Sequence, residues 1–238
     1  MTLFNLQTVP KVIVKEMSYN DIDITRDPFR AKTYLLFNKG IRQMVYDQLT
    51  NRQVKEFYSQ YDMAYGDVLV TGFGFGILAN WLASKPEVKS VTVVELEKDI
   101  YDMYLLNNTL DKKVSVVIAD ASTYRTDNKY DCLFLDHYES NIKEWVFRDM
   151  RRIVKNIPNH SLFWVWSLEF KFAETAYNLN ANALDNNLLR DNYVDFYERY
   201  DYFKGSICGI PTLPNLTKDK INEYVYTYCD CIGYSTSL

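Results

Sequence analysis

The stretch VLVTGFGFGILANWLAS, Val68 to Ser84, decides how this chain reads. Apolar β-formers run up to Thr71, glycines follow at 72, 74 and 76, and Ile77, Leu78, Trp81 and Leu82 then recur at helical spacing. The order is strand, tight loop, amphipathic helix. Without Cβ atoms, Gly72, Gly74 and Gly76 let the main chain turn sharply and approach a ligand, and the start of the helix offers N–H groups that have no partner of their own. The loop therefore predicts a ligand site. A dinucleotide loop needs a third small residue one place later, where this chain has bulky Ile77, so the spacing suits a ligand without a pyrophosphate.

Working outward, strands and helices alternate from Asp67 onward. DVLVT, VKSVTVVELE, KVSVVIAD, YDCLFLDHY and the segment after NIPNH read as strands one to five. Lys98 to Leu110 reads as a helix, and Val146, Met150, Ile153, Val154 and Ile157 mark another. This alternation predicts an α/β fold with a Rossmann-like, doubly wound, mostly parallel sheet over residues 51–238, entered through a helix from about Asn51 to Tyr61. The first fifty residues have a different texture. KVIVKEM, DIDIT, KTYLLF and IRQMVYDQ, broken by the turn segments RDPF and NKG, predict a small β module over residues 1–50. Near the C-terminus, residues 172–200 read as mostly helical and EYVYTYCDCIGY as a closing strand.

With 238 residues and a formal charge of -4, the chain does not present the basic surface of a nucleic-acid binder; Arg151, Arg152 and Lys155 read as the solvated face of a helix. The N-terminus has no signal-peptide core, and no apolar run approaches the ~20 residues needed to span a bilayer. A cytoplasmic protein with no membrane contact is expected. Four cysteines do not make a disulfide framework, and with only two histidines, neither at ligand spacing from Cys229 and Cys231, no metal site is expected.

Each strand ends in an acidic or polar residue, and in such sheets ligands lie beyond the carboxyl ends of the strands. Glu95, after strand two, is placed to accept hydrogen bonds from both hydroxyls of a ribose. Asp120, with small Ala121 beside it, is placed to receive an exocyclic adenine amine, the alternative reading being a helix N-cap. Beyond strand four, Asp136 and Glu139 are spaced to bracket a cationic group, with Asp136 orienting an amine or taking its proton. His137 reads as a base or as a packed histidine. Phe73, Phe75, Tyr138 and Trp166 read as pocket walls or as core.

Taken in order, VLVTGFGFG, VTVVELE, VIADA, YDCLFLDHYES and IVKNIPNHSLFWV resemble the class I S-adenosylmethionine-dependent methyltransferases. The resemblance implies that the loop of Gly72, Phe73, Gly74 and Gly76 passes the methionine end of the cofactor. It also implies that Glu95 holds the ribose, that Asp120 and Ala121 meet the adenine, and that Pro158 to His160 form the turn before strand five. Two branches are similar. The GFG loop and Asp136 with Tyr138 look like the guanidinoacetate and arginine N-methyltransferases, which implies methyl transfer to a small amine or guanidine. LLFNKGIRQ and DHYE look like the spermidine synthases, which implies Gln43 as a cofactor contact and decarboxylated S-adenosylmethionine as cofactor. Phe75 stands where that branch has a loop acid, and its Tyr-His pair is missing after Gln43, so methyl transfer is favoured. A non-catalytic adaptor that keeps the fold is the reading from outside the enzymes. The acceptor is expected to be a small molecule, and the sequence leaves an oligomer open.

Overall fold

Five apolar segments pair side by side in the computed structural model, which describes residues 9, 11–30, 32–47, 52–138, 144–169, 171, 197, 200, 201, 204 and 210–233. They follow four strands of a separate sheet, β1 (Met17–Tyr19), β2 (Ile22–Arg26), β3 (Thr33–Asn38) and β4 (Ile41–Asp47), and are numbered after them. β5 (Gly66–Thr71), β6 (Val88–Glu95), β7 (Val114–Ile118), β8 (Tyr130–Leu135) and β9 (His160–Val165) form a parallel sheet in the order β7-β6-β5-β8-β9. Runs of consecutive residues are buried in the central strands, among them Val68, Leu69 and Val70, and Leu133, Phe134 and Leu135. Such runs suit a sheet covered on both faces. The covers are α3 (Ile77–Ser84), α4 (Lys98–Leu105) and α5 (Glu144–Asn156), each linking two of these parallel strands, with α1 (Arg52–Glu56) and α2 (Tyr58–Met63) preceding β5. Because β6 lies on one side of β5 and β8 on the other, right-handed crossovers send their helices to opposite faces. The fold is the Rossmann-like, doubly wound one expected.

The four-stranded sheet is antiparallel throughout, in the order β1-β2-β3-β4. In the β3–β4 hairpin Leu36 faces Met44 and Phe37 faces Arg42, so Gln43 is one residue more than the ladder needs. This bulge turns β4 locally and frees the Gln43 side chain from the alternation of the strand.

Three expectations need correction. KVIVKEM is not a strand, because only Met17 joins β1. Its Val12 and Val14 are buried, and the side-chain amide of Asn108 replaces a neighbouring strand: Asn108 Oδ1 accepts from the Ile13 N–H at 2.7 Å, and its Nδ2 donates to the Ile13 carbonyl at 2.9 Å. α4 ends at Leu105, not Leu110, as the chain runs into Asn107 and Asn108, residues that compete with helical hydrogen bonds. EYVYTYCDCIGY is not a strand but part of α6 (Lys218–Gly233). Its buried residues Ile221, Tyr224, Val225 and Tyr228 are three and four apart, and this helical period outweighs the β propensity of its aromatics. Most of the helical expectation for 172–200 lies outside the described residues.

α6 is tied down where it packs on α1 and α2. The Tyr224 hydroxyl donates to Asp62 at 2.7 Å, Lys220 pairs with the same carboxylate at 2.8 Å, and the Tyr58 hydroxyl donates to Glu223 at 2.6 Å. Ile221→Ala, at a fully buried position, is expected to lower the free energy of unfolding by about 2–5 kcal/mol in urea denaturation. A loss within about 0.5 kcal/mol, as for an exposed site, would contradict this packing.

Candidate functional site

A cleft of about 620 Å³ opens at the carboxyl ends of the central parallel strands, with the β3–β4 hairpin and the end of α1 along its other side. It stands at the switch point of the sheet, where β5 has β6 on one side and β8 on the other.

The loop after β5 forms the floor, and local sterics explain its glycines. Gly72 has φ +89°, and a Cβ there would lie 2.3 Å from the Asp136 carbonyl oxygen. The main chain leaving β8 therefore presses directly on the loop, with the Asp136 N–H donating to the Thr71 carbonyl at 2.9 Å. Gly76 has φ +70°, and a Cβ would meet Phe73 and Tyr104, each at 2.9 Å. It does not line the cleft but starts α3. The ring of Phe73 stands edge-on to Tyr101 and Tyr104, with centroids at 5.6 and 5.0 Å. Phe75 does not wall the cleft either: it is buried and lies 5.7 Å from the Tyr46 ring, facing the antiparallel sheet.

Glu95 is buried at the end of β6 and holds the loop. Its two carboxylate oxygens accept from the Phe73 N–H at 2.7 Å and the Glu97 N–H at 2.8 Å. Burial raises its pKa above the ordinary glutamate value, and these backbone donors work against that rise. Asp120 stands exposed beyond β7 and caps its own turn, one oxygen accepting from the Ser122 N–H at 2.8 Å, while Ala121 is buried beside it. Both line the cleft, as do Gln43, Gly72, Phe73 and Gly74.

Beyond β8, Asp136, His137 and Tyr138 line the cleft too, together with Trp166. Burial, and then the charges of Glu56 and Glu95, push the Asp136 carboxyl well above the usual aspartate range. Glu56 is the acid that sequence reasoning missed. It is buried at the end of α1 and lines the cleft, yet the five-residue helix RQVKE has no local motif to mark it. Arg42 and Asn38 also line the cleft and were not anticipated. Glu139 lies outside the described residues.

His137 is engaged at both ring nitrogens. Nδ1 is 2.6 Å from Thr71 Oγ1, and Nε2 is 3.4 Å from Asp149 Oδ2, which also accepts from the Tyr138 hydroxyl at 3.1 Å. The arrangement fits a positioning role better than that of a free base. Asp149 on α5 thereby fixes the two residues that follow Asp136. The His137 and Tyr138 contacts hold its carboxyl below the ordinary aspartate value, against the effect of burial. His160 is remote from the cleft: it opens β9 at the opposite end of the sheet, and its ring contacts the Ile157 carbonyl at 2.6 Å and Thr212 Oγ1 at 2.7 Å. Among the described residues no group of three or more His, Cys, Asp or Glu is placed to hold a metal ion, and no helix is long and apolar enough to cross a membrane.

No family model matches the sequence, and no curated protein matches it. Solved structures that match include a probable spermidine synthase from Corynebacterium glutamicum, at 14% identity and TM-score 0.42, with 65% of each chain covered. The spermidine synthase from Thermotoga maritima matches at 17% identity and TM-score 0.39, over 56% of this chain and 49% of that one. The S-adenosylmethionine-dependent methyltransferase SibL matches at 20% identity and TM-score 0.36, over 46% of this chain and 33% of that one. The chain thus spans less than two thirds of the length of each of these structures.

Because the folded-state pKa of Asp149 lies below its unfolded value, the stability it contributes is fully present above about pH 4 and is lost as pH falls through the lowered value. Asp149→Asn is expected to lower the thermal midpoint at neutral pH, and the gap from the unmodified protein should close on acidification. Parallel melts from pH 7 down to pH 3 check this, and a gap that does not depend on pH would contradict it.

Proposed function

We propose that the protein is an S-adenosylmethionine-dependent transferase that methylates a small amine or guanidine. The observation that carries this reading is the position of Asp136, held against the glycine loop, where burial, and then the charges of Glu56 and Glu95, raise its carboxyl well above the usual aspartate range. A negative, partly dry cleft of this kind favours cations, and both an adenosyl sulfonium and a protonated amine are cations.

The residues present fit such a cofactor. The cleft volume lies in the range that encloses a nucleoside-sized ligand. Glu95 keeps lone pairs for the ribose hydroxyls after serving two backbone donors, and Asp120 has an oxygen left beyond its own turn for the adenine amine. When bound, the cofactor supplies a methyl group on a positively charged sulfur that leaves as a neutral thioether. The chain's own part is alignment, exclusion of water and removal of a proton. Asp136 orients the acceptor nitrogen. With a cationic ligand beside it to favour its ionised form, Asp136 would take the proton from the ammonium first, freeing the nitrogen lone pair that attack on the methyl group requires. Tyr138 and His137, held by Asp149, set the path of the chain on which Asp136 sits. We assign Glu139 to the acceptor side on its spacing alone.

Aminopropyl transfer from decarboxylated cofactor is the second reading, favoured by the place of Gln43 in the cleft wall. Product analysis separates the two: methyl transfer releases S-adenosylhomocysteine and aminopropyl transfer releases methylthioadenosine. An adaptor would bind neither cofactor in calorimetry.

Asp136→Asn tests the site further. Since the folded-state pKa of Asp136 is raised, its ionised form destabilises the ligand-free protein increasingly as pH rises above about 4. The variant is expected to melt higher than the unmodified protein at neutral pH, by a margin that shrinks toward pH 4, while losing at least about 100-fold in turnover. Undiminished turnover would contradict the assignment.

A further inference from the structure

Five carboxylates line the cleft, from Glu56, Glu95, Glu97, Asp120 and Asp136, against a single guanidinium, that of Arg42. The guanidinium forms no ion pair among the described residues, although it is the lone cation lining an acidic cleft. Arg42 is exposed at the mouth, at the bulge of β4, opposite Phe37 and next to Gln43. Two residues on, the Met44 sulfur would lie 2.6 Å from a Cβ on Gly74, so this part of β4 runs directly over the middle of the glycine loop. Asn38, at the end of β3 in the same hairpin, also lines the cleft, and its Oδ1 is buried without a hydrogen-bond donor. A buried acceptor left unpaired is costly, and a donor from a ligand would satisfy it.

The β3–β4 hairpin therefore brings to the cleft a planar, five-donor cation suited to a carboxylate and an unmet acceptor suited to an ammonium. We infer that Arg42 and Asn38 hold the α-amino-acid end of the ligand, carboxylate on Arg42 and ammonium on Asn38. In consequence the cleft prefers S-adenosylmethionine to its decarboxylated form. This rests on the transferase reading above and deepens it, because the carboxylate is the group by which the two cofactors differ. The glycine loop under β4 is where that reading runs the methionine portion.

Calorimetry with the full chain tests the inference using two neutral adenosine thioethers: S-adenosylhomocysteine, which has the amino-acid end, and methylthioadenosine, which lacks it. The unmodified protein is expected to bind S-adenosylhomocysteine at least about tenfold more tightly. R42Q should remove most of that advantage and leave methylthioadenosine binding within about twofold. R42K, which keeps the charge but loses the fork, should restore part of it. Arg42 is exposed, and matching thermal melts would establish that the variants fold. Equal binding of the two thioethers by the unmodified protein would overturn the inference, as would an equal loss of both in R42Q. If R42Q leaves both affinities intact and raises only the KM for the acceptor, the carboxylate belongs to the acceptor and the inference also fails. If neither compound binds the unmodified protein at millimolar concentration, it is the transferase reading itself that fails, and the inference with it.

Discussion

The cleft depends on the contact between two lengths of main chain, where the residue leaving β8 rests on the residue leaving β5. Any side chain at position 72 would occupy the space of the Asp136 carbonyl, so glycine there is a condition for the two strand ends to lie together. With that contact made, the Asp136 N–H finds the Thr71 carbonyl and the carboxyl group is delivered to the loop by the backbone itself. Glu95 does the same from the other flank, drawing in the Phe73 N–H. The first purpose of the glycines is thus internal. Space for a ligand follows from how the strand ends meet, and Gly76 serves the packing of Phe73 and Tyr104 without reaching the cleft.

That geometry gathers negative groups whose mutual repulsion the fold has to sustain. Glu56 and Glu95 add to burial in holding back the ionisation of Asp136, an arrangement that packing alone would not select. Natural proteins tolerate such local cost where a ligand later relieves it. The opposite sense of the shift at Asp149 fits the same division: that carboxylate has donors on hand and acts as a support, whereas Asp136 lines the cleft and no donor to its side chain stands among the described residues.

The parallel sheet was legible because its signals are local. Continuous apolar runs, glycines at a strand end and helical spacing in α3 and α5 each declare themselves within a dozen residues. The gathering of Gln43, Gly72, Glu95, Asp120 and Asp136 at one cleft followed from the rule that binding residues sit at strand ends, together with the family resemblance. What escaped was set by long-range packing. Glu56 faces the cleft only because α1 is pressed between β4 and α6, and nothing within RQVKE tells which way its acid turns. The aromatics of α6 carry β propensity, but burial at Ile221, Tyr224, Val225 and Tyr228 decided the matter in favour of a helix. Lys11 to Glu16 has the composition of a strand but no strand beside it among the described residues, and a single asparagine side chain takes up the hydrogen bonds of Ile13 instead.

The bulge in β4 separates two duties that a regular strand would combine. Leu36 with Met44 and Phe37 with Arg42 keep the hairpin zipped, and the surplus residue between them has no partner to serve. Position 43 is consequently exempt from the selection that governs the hairpin's architecture. Its side chain can be exchanged without unzipping its neighbours, which gives evolution an inexpensive dial for tuning what this face of the molecule accepts.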